Sequence, residues 1–276
     1  YQVNFALSRV LASSLEEQSV SSLYYASRVE ELTLGLFSIA FSVALLPSLS
    51  ELAAENKILE IKRILVFSFK AVFLVTFPAM AGLLVLNRPI VQVLFERGLF
   101  DAQSTSLSAS CLFFFSLGLP FISGAKILAP AFYSLKDTKT PALVAVLVMT
   151  SYILLSLVLM KPLHVGGLAL ALSLSSFFNF VALFFLLERK IGKMEKRSLF
   201  QSVMKFIFFS AAMGGIVWLF AGHFDFSRLA FVQKLAVLLS AIVLGIVAYL
   251  IMNLLFNRED LARLKDVFSR QRTLKD

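Results

Sequence analysis

The sequence predicts an all-α polytopic membrane protein, and three observations support that prediction. Hydrophobic residues make up 59% of the 276 residues and charged residues only 16%, whereas soluble domains are about half apolar and a quarter charged. Apolar runs long enough to cross a bilayer, which takes roughly 20 residues, recur along the whole chain. The basic residues alternate between the connecting segments in the way that the positive-inside rule requires.

The apolar runs define eight candidate spanning helices. The first run, 2–15, is short and has no signal-peptide pattern before it, so we expect that the beginning of a longer protein is missing. A short interfacial helix is predicted at 88–98, and the polar tail 257–276 is basic and amphipathic. We interpret that tail either as a helix that lies on the inner leaflet or as a helix in solvent. The other predicted spans are 20–49, 63–87, 103–134, 141–160, 165–188, 198–221 and 229–256.

Loop charge predicts the orientation of these helices. The connections after the even-numbered helices, together with the tail, hold 16 basic residues, and the opposite connections hold 4. Because basic loops stay in the cytoplasm, the C-terminus and the basic loop 189–197 are predicted to be cytoplasmic. On such a protein we interpret the net charge of +9 as a topology signal and as attraction to lipid headgroups, not as nucleic-acid binding.

Catalytic and metal-binding patterns are not found in the sequence. The single cysteine, Cys111, excludes an internal disulfide and a cysteine cluster, and His164 and His223 stand far apart. No nucleophile triad or glycine-rich phosphate loop stands out. We therefore predict no metal, no cofactor and no catalytic site.

Charged residues inside spans are the main functional signal, because a bilayer makes them costly. Arg9 lies mid-span in the first helix, where it should face a cavity or a partner. Lys126 lies too deep for easy contact with headgroups, which leaves a buried structural partner and a functional role both open. Lys70, Lys205 and Lys234 lie nearer helix ends, and we interpret them as extending to the headgroups.

Arg28 carries the most open question. The apolar run from Leu34 to Pro47 has 14 residues, too few to cross the hydrocarbon core, so the second span must include the segment that contains Arg28. The arginine then either anchors the helix at the membrane edge beside an aromatic belt of Tyr24 and Tyr25, or it serves a function. Glu31, three residues later, can pair with it in either case.

Small residues at 165–176, in "VGGLALALSLSS", predict close helix packing. Gly167 and Ala171 are four residues apart, as are Ala169 and Ser173. That spacing places small side chains on one helix face, which allows another helix to approach closely. A ligand-binding role for this face is the less favoured alternative.

Four segments together resemble the MurJ (MviN) family of lipid II flippases. They cover most of residues 1–180 in the family's order, and the last two helices resemble the family in layout only. The segments are "SLYYASRVEEL" with its following span, "RPIVQVLFERGLFDAQST", "LAPAFYSLKDTKTP" and "VGGLALALSLS".

The resemblance implies a fold of the multidrug/oligosaccharidyl-lipid/polysaccharide exporter type with fourteen spanning helices, of which this chain would hold the last eight. Residues 1–188 would form the second six-helix lobe, with its first helix truncated. Residues 198–256 would be two C-terminal helices that form a groove for the lipid tail. The implied location is the bacterial inner membrane, and the implied partners are lipid II, membrane lipids and the missing N-terminal helices.

The implied activity is the flipping of lipid II, the lipid-linked peptidoglycan precursor, from the inner to the outer leaflet by alternating access. Arg28 and Arg9 match family arginines thought to hold the diphosphate, and Lys126 is a further candidate. Many members have Asp before each arginine, whereas Ser8 and Ser27 stand here. The counter-charge positions to consider are therefore Glu31, Glu30 and Ser27.

Two alternatives to lipid II flipping remain at this stage. One is a flippase or exporter of another polyprenyl-linked oligosaccharide or of a drug. The other is a non-transporting membrane scaffold or a split-gene pseudo-flippase, since two acidic residues of the family pattern are absent.

Overall fold

All regular secondary structure in the described part of the chain is helical. A computed structural model describes residues 2–15, 18–35, 40–226 and 229–256, so the predicted tail at 257–276 lies outside the described residues. The helices are α1 (Gln2–Ala12), α2 (Ser19–Leu34), α3 (Ala40–Ala54), α4 (Ile58–Phe95), α5 (Ala102–Ser134), α6 (Lys139–Ile191), α7 (Lys196–Gly222) and α8 (Phe231–Phe256).

Five of these helices, α4 to α8, are long and apolar enough to cross a membrane. The predicted bounds of α5, α7 and α8 agree with the structure to within about two residues, the usual uncertainty of a helix end. The predicted span at 20–49 is described as two elements, α2 and α3, on either side of residues 36–39, which are not described. With 11 and 16 residues, α1 and α2 are shorter than a full span.

The separate interfacial helix predicted at 88–98 is wrong. Helix α4 runs without interruption for 38 residues, through Pro78 and Pro89 to Phe95. A proline removes one backbone donor but fixes a φ that a helix accepts, so it does not have to end a membrane helix. At 1.5 Å per residue, α4 is about 57 Å long and extends beyond a hydrocarbon core of about 30 Å.

Helix α6 is a hairpin of two arms that meet at His164. This residue has a non-helical backbone conformation (φ 49°, ψ −133°), within the loop that the sequence predicts at 161–164. A Cβ built on Gly167 would lie 2.1 Å from the Leu159 carbonyl oxygen. These residues would be about 12 Å apart along a continuous helix, so the chain reverses here. The two arms correspond to the predicted fifth and sixth spans.

Helices α4 and α5 form the centre of the bundle. Helix α5 packs against α2, α3, α4 and α6, while α7 and α8 cover the other side of α4, and α1 lies against α2 and α6. The core consists of two large apolar clusters. One includes Leu23, Val91, Leu112 and Leu168, and the other includes Leu49, Leu65, Leu128 and Leu187.

Small residues allow α5 and α6 to approach each other closely, as the sequence predicts. A Cβ on Gly118 of α5 would lie 3.0 Å from the Cα of Ser173 on α6. The Ser173 hydroxyl donates to the Phe114 carbonyl oxygen at 2.6 Å. The face predicted from "VGGLALALSLSS" is therefore the surface on which α6 packs against α5.

An ion pair joins the two ends of the α6 hairpin. Lys190 Nζ lies 2.7 Å from Asp137 Oδ2, and Asp137 also accepts hydrogen bonds from the Thr140 N–H and hydroxyl. The Lys190 ammonium and these Thr140 bonds hold the pKa of Asp137 below its ordinary range. The stabilisation that follows is fully present above an ordinary aspartate pKa of about 4, and it is lost as the pH falls through the lower folded-state value.

We expect Gly167→Ala to destabilise the protein, because its Cβ would overlap the Leu159 backbone and not a flexible side chain. Overpacking of this kind typically costs about 1–3 kcal/mol, which lowers Tm by several degrees in a chain of this size. Thermal unfolding of the purified protein in detergent measures the effect. Gly215→Ala is the control, since a Cβ there has no neighbour within 4 Å; equal Tm values for the two variants would contradict the hairpin geometry.

We expect Asp137→Asn to lower Tm at pH 7, and the difference from wild type to shrink as the pH falls below about 4, because there the carboxylate of the unfolded chain takes up a proton while the folded one, with its lower pKa, still resists protonation. Tm measured against pH tests this. Glu55→Gln, which removes the exposed pair with Lys57, should have little effect at any pH. A pH-independent difference for Asp137→Asn would show that the charge of Asp137 does not stabilise the hairpin.

Candidate substrate-binding site

Arg9 and Arg28 come from different helices and lie over the same aromatic ring. Arg9 Cζ, from α1, is 5.4 Å from the Tyr24 ring centroid, and Arg28 Cζ, from α2, is 4.6 Å from it. Tyr24 and Arg28 are four residues apart, so one helical turn places them on the same face of α2. The structure therefore brings together the two arginines that the sequence singles out.

Glu31 is the acidic residue that pairs with Arg28. Arg28 Nη1 lies 2.8 Å from Glu31 Oε2, one turn along α2. The side chains of Arg28 and Glu31 are 52% and 33% exposed, and exposed pairs of this kind contribute little stability. Arg28 can therefore exchange this carboxylate for another anion at small cost.

The serines that stand before the two arginines are both buried and engaged. The Ser8 hydroxyl forms a hydrogen bond with the Tyr152 hydroxyl on α6. The Ser27 hydroxyl donates to the Tyr24 carbonyl oxygen at 2.8 Å. Neither hydroxyl supplies a negative charge, and the Ser27 hydroxyl is bound to the α2 backbone. Among the predicted counter-charge positions, Glu31 is the one in contact with Arg28.

Glu30 and Lys126 form a second, more buried charged group beside the first. The Glu30 side chain is 0% exposed, and Lys126 on α5 is half-buried. Lys126 lies within electrostatic range of both Glu30 and Glu31, and its backbone carbonyl accepts a hydrogen bond from Ser42 of α3 at 2.6 Å. Removing one of two opposite charges in an apolar interior is costly because the other is left uncompensated, and here the two charges lie on α2 and α5.

The two tyrosines have different surroundings. Tyr25 packs against Phe95 and Phe100, with ring centroids 4.7 and 5.2 Å away, and its edge-to-face contact with Tyr24 is at 5.8 Å. Tyr24 lies at one end of this aromatic group, where its ring contacts both arginines. Sequence reasoning missed this role for Tyr24. The four-residue spacing to Arg28 was an available signal, but nothing in the sequence places Arg9 on the same ring.

An apolar cavity of about 630 Å³ lies between α4, α7 and α8. Its lining includes Pro78 and Gly82 of α4, Val217 of α7 and Gly245 of α8, and Thr33 of α2 reaches it as well. The family resemblance implies a groove formed by α7 and α8, and this cavity has α4 as a third wall.

A hydrogen bond attaches α8 to α4 at this cavity. Pro78 has no N–H, so the Leu74 carbonyl, four residues earlier, lacks its helical donor. The Tyr249 hydroxyl of α8 donates to this carbonyl oxygen at 2.9 Å. An unsatisfied carbonyl is costly in a hydrocarbon environment, so this bond stabilises the packing of α8 beside the cavity.

The comparisons with known proteins agree with the resemblance seen in the sequence. The family model described as lipid II flippase MurJ matches residues 1–237, which extends beyond the four segments into α8. A probable lipid II flippase MurJ of Rhizobium tropici is 31% identical over 274 residues, which is 98% of this chain and 51% of the relative. The Vibrio cholerae relative of the same description is 32% identical over 96% of this chain and 50% of its own length.

A solved structure has the same fold. The structure titled lipid II flippase MurJ, inward closed conformation, matches with a TM-score of 0.79 and 27% identity, over 94% of this chain and 51% of that one. The chain thus spans about half the length of the relatives that it matches. The matching helices confirm a multi-pass membrane protein of the predicted fold class, and the chain belongs to the lipid II flippase MurJ family.

Proposed function

We propose that this chain is the C-terminal part of a transporter that moves lipid II from the inner to the outer leaflet of the bacterial inner membrane. The observation that supports this most is the meeting of Arg9 and Arg28 on one tyrosine ring, in a chain of the lipid II flippase family. A guanidinium stays charged at any relevant pH and binds phosphate oxygens through paired hydrogen bonds. Two guanidiniums in one place are suited to a diphosphate.

The two arginines would hold the diphosphate of lipid II in a central cavity. Its oxygens would replace Glu31 as the partner of Arg28, which is favoured because the exposed Arg28–Glu31 pair is weak. Glu31 would remain beside Lys126, so its charge would stay compensated. Glu30 would keep Lys126 on the inner side of the site, and Ser27 would keep the backbone of α2 in place.

The partner of this half would be the N-terminal helices of the same transporter. The relatives are about twice as long, and the exposed side of Arg9 and Arg28 would face the opposite lobe. Residues 1–188 would rock as one lobe against it, so that the cavity opens alternately to either side. The basic loop at 189–197 and the C-terminal tail would stay in the cytoplasm.

The cavity between α4, α7 and α8 would receive the polyprenyl tail. Its walls are formed by apolar residues such as Leu83, Val217 and Ile246. Because the surrounding bilayer is equally apolar, the tail would be held there by van der Waals packing. The volume of about 630 Å³ is in the range of pockets that hold small ligands, so it would take part of a long tail.

We expect Arg28→Ala in the complete transporter to reduce lipid II flipping at least ten-fold in proteoliposomes, because one of two diphosphate contacts is lost. Arg28→Lys should be intermediate, since an ammonium keeps the charge but not the paired geometry. Arg63→Ala is the matched control, because Arg63 forms an exposed pair with Glu60 at the same spacing and the same 2.8 Å distance. Wild-type flipping by Arg28→Ala would contradict the proposed site.

We expect Gly82→Leu to weaken the binding of lipid II with a long tail more than the binding of a short-tailed analogue. Gly82 lines the cavity, and a Cβ built on it has no neighbour within 4 Å, so we expect a leucine there to take up cavity space. Gly215→Leu is the control, since it is equally open but lies outside the cavity. If Gly82→Leu changed the binding of the long-tailed and the short-tailed lipid equally, this cavity would be excluded as the tail site.

A further inference from the structure

We infer that Tyr24 is a positioning residue that sets the separation of Arg9 and Arg28, so that both guanidiniums reach one diphosphate. The inference rests on the proposed function and extends it to a residue that contacts the two arginines. It also gives the site a preference: a diphosphate needs both guanidiniums at a set separation, whereas a monophosphate needs only one.

The geometry limits how far apart the two charges are. Arg9 Cζ and Arg28 Cζ lie 5.4 and 4.6 Å from the same ring centroid, so the two guanidinium carbons are at most about 10 Å apart. Two like charges this close repel each other, and the repulsion is stronger near an apolar medium than in water. Without an attraction to a shared group, the flexible arginine side chains would move apart.

The face of the Tyr24 ring offsets that repulsion. The electron-rich face of an aromatic ring attracts a guanidinium, and an arginine stacked on it loses fewer rotamers when a ligand binds. Tyr24 attracts both arginines at once and thus keeps them near each other in the absence of substrate. The Glu31 carboxylate is in contact with Arg28, whereas the Tyr24 ring is in contact with both arginines.

The Tyr24 ring is itself held by packing. Its edge meets Tyr25 at an interplanar angle of 74°, and Tyr25 lies against Phe95 at the end of α4 and Phe100 before α5. The position of the ring therefore depends on the α4–α5 connection as well as on α2. A ring held in this way can set a distance, whereas an exposed tyrosine without such contacts would move with the arginines.

The test compares two lipids that differ by one phosphate. The complete transporter and its variants are assayed for binding and flipping of lipid II and of a polyprenyl monophosphate sugar with the same tail. We expect Tyr24→Leu to lower affinity for lipid II about ten-fold, the size expected when two arginine side chains must be immobilised as the ligand binds. We expect its affinity for the monophosphate lipid to change less than two-fold, so that the preference for the diphosphate is lost.

Tyr24→Phe keeps the ring, so it should keep both the affinity and the preference. Tyr133→Leu is the control, since Tyr133 is also part-exposed (46%) but lies at the far end of α5. If Tyr24→Leu lowers Tm, Tyr24→Gln at the same part-exposed position provides the same comparison.

Unchanged preference in Tyr24→Leu or Tyr24→Gln, with flipping abolished in Arg28→Ala, would overturn the role of Tyr24 and leave the proposed function intact. Equal losses for both lipids would also overturn it, because that result indicates general damage to the site. If Arg28→Ala flips lipid II normally, the proposed function fails first.

Discussion

The structure depends on one constraint, which is that polar groups within a hydrocarbon layer must find their partners inside the protein. The Leu74 carbonyl, which lacks a helical donor because of Pro78, receives the Tyr249 hydroxyl. Buried Ser8 meets Tyr152 across α1 and α6. Each of these contacts joins two helices that share no neighbouring sequence. The same polar atoms that would destabilise an isolated helix thus determine which helices pack together.

Charged groups satisfy this constraint in two ways, and the difference bears on function. Glu30 is fully buried near Lys126, and separating such a pair is costly, so it suits a permanent connection between α2 and α5. Arg28, Glu31 and Arg9 lie at a more exposed place, where contacts with a carboxylate or a ring are individually weak. Weak contacts allow exchange with a substrate anion. The proposed transport needs both properties, since the helices would have to stay packed while the substrate enters and leaves.

Much of the fold follows from the sequence, because hydrophobic run length and loop charge are local signals. They predict α5, the two arms of α6, α7 and α8 closely. The sequence predicts a separate interfacial helix at 88–98, yet α4 continues through Pro89 to Phe95, since proline removes only one donor. The site is predictable only in part. Arg9 and Arg28 stand out as charges within apolar runs, whereas the role of Tyr24 and the contribution of α4 to the cavity depend on contacts between helices that are distant in sequence.

The most direct measurement is an experimental structure of the complete transporter with lipid II bound. The account predicts that the diphosphate lies within hydrogen-bonding distance of both Arg9 and Arg28, beside the Tyr24 ring, with Glu31 displaced from Arg28 and part of the tail in the cavity between α4, α7 and α8. A diphosphate bound at other residues, with the Arg28–Glu31 pair of 2.8 Å still intact, would contradict it.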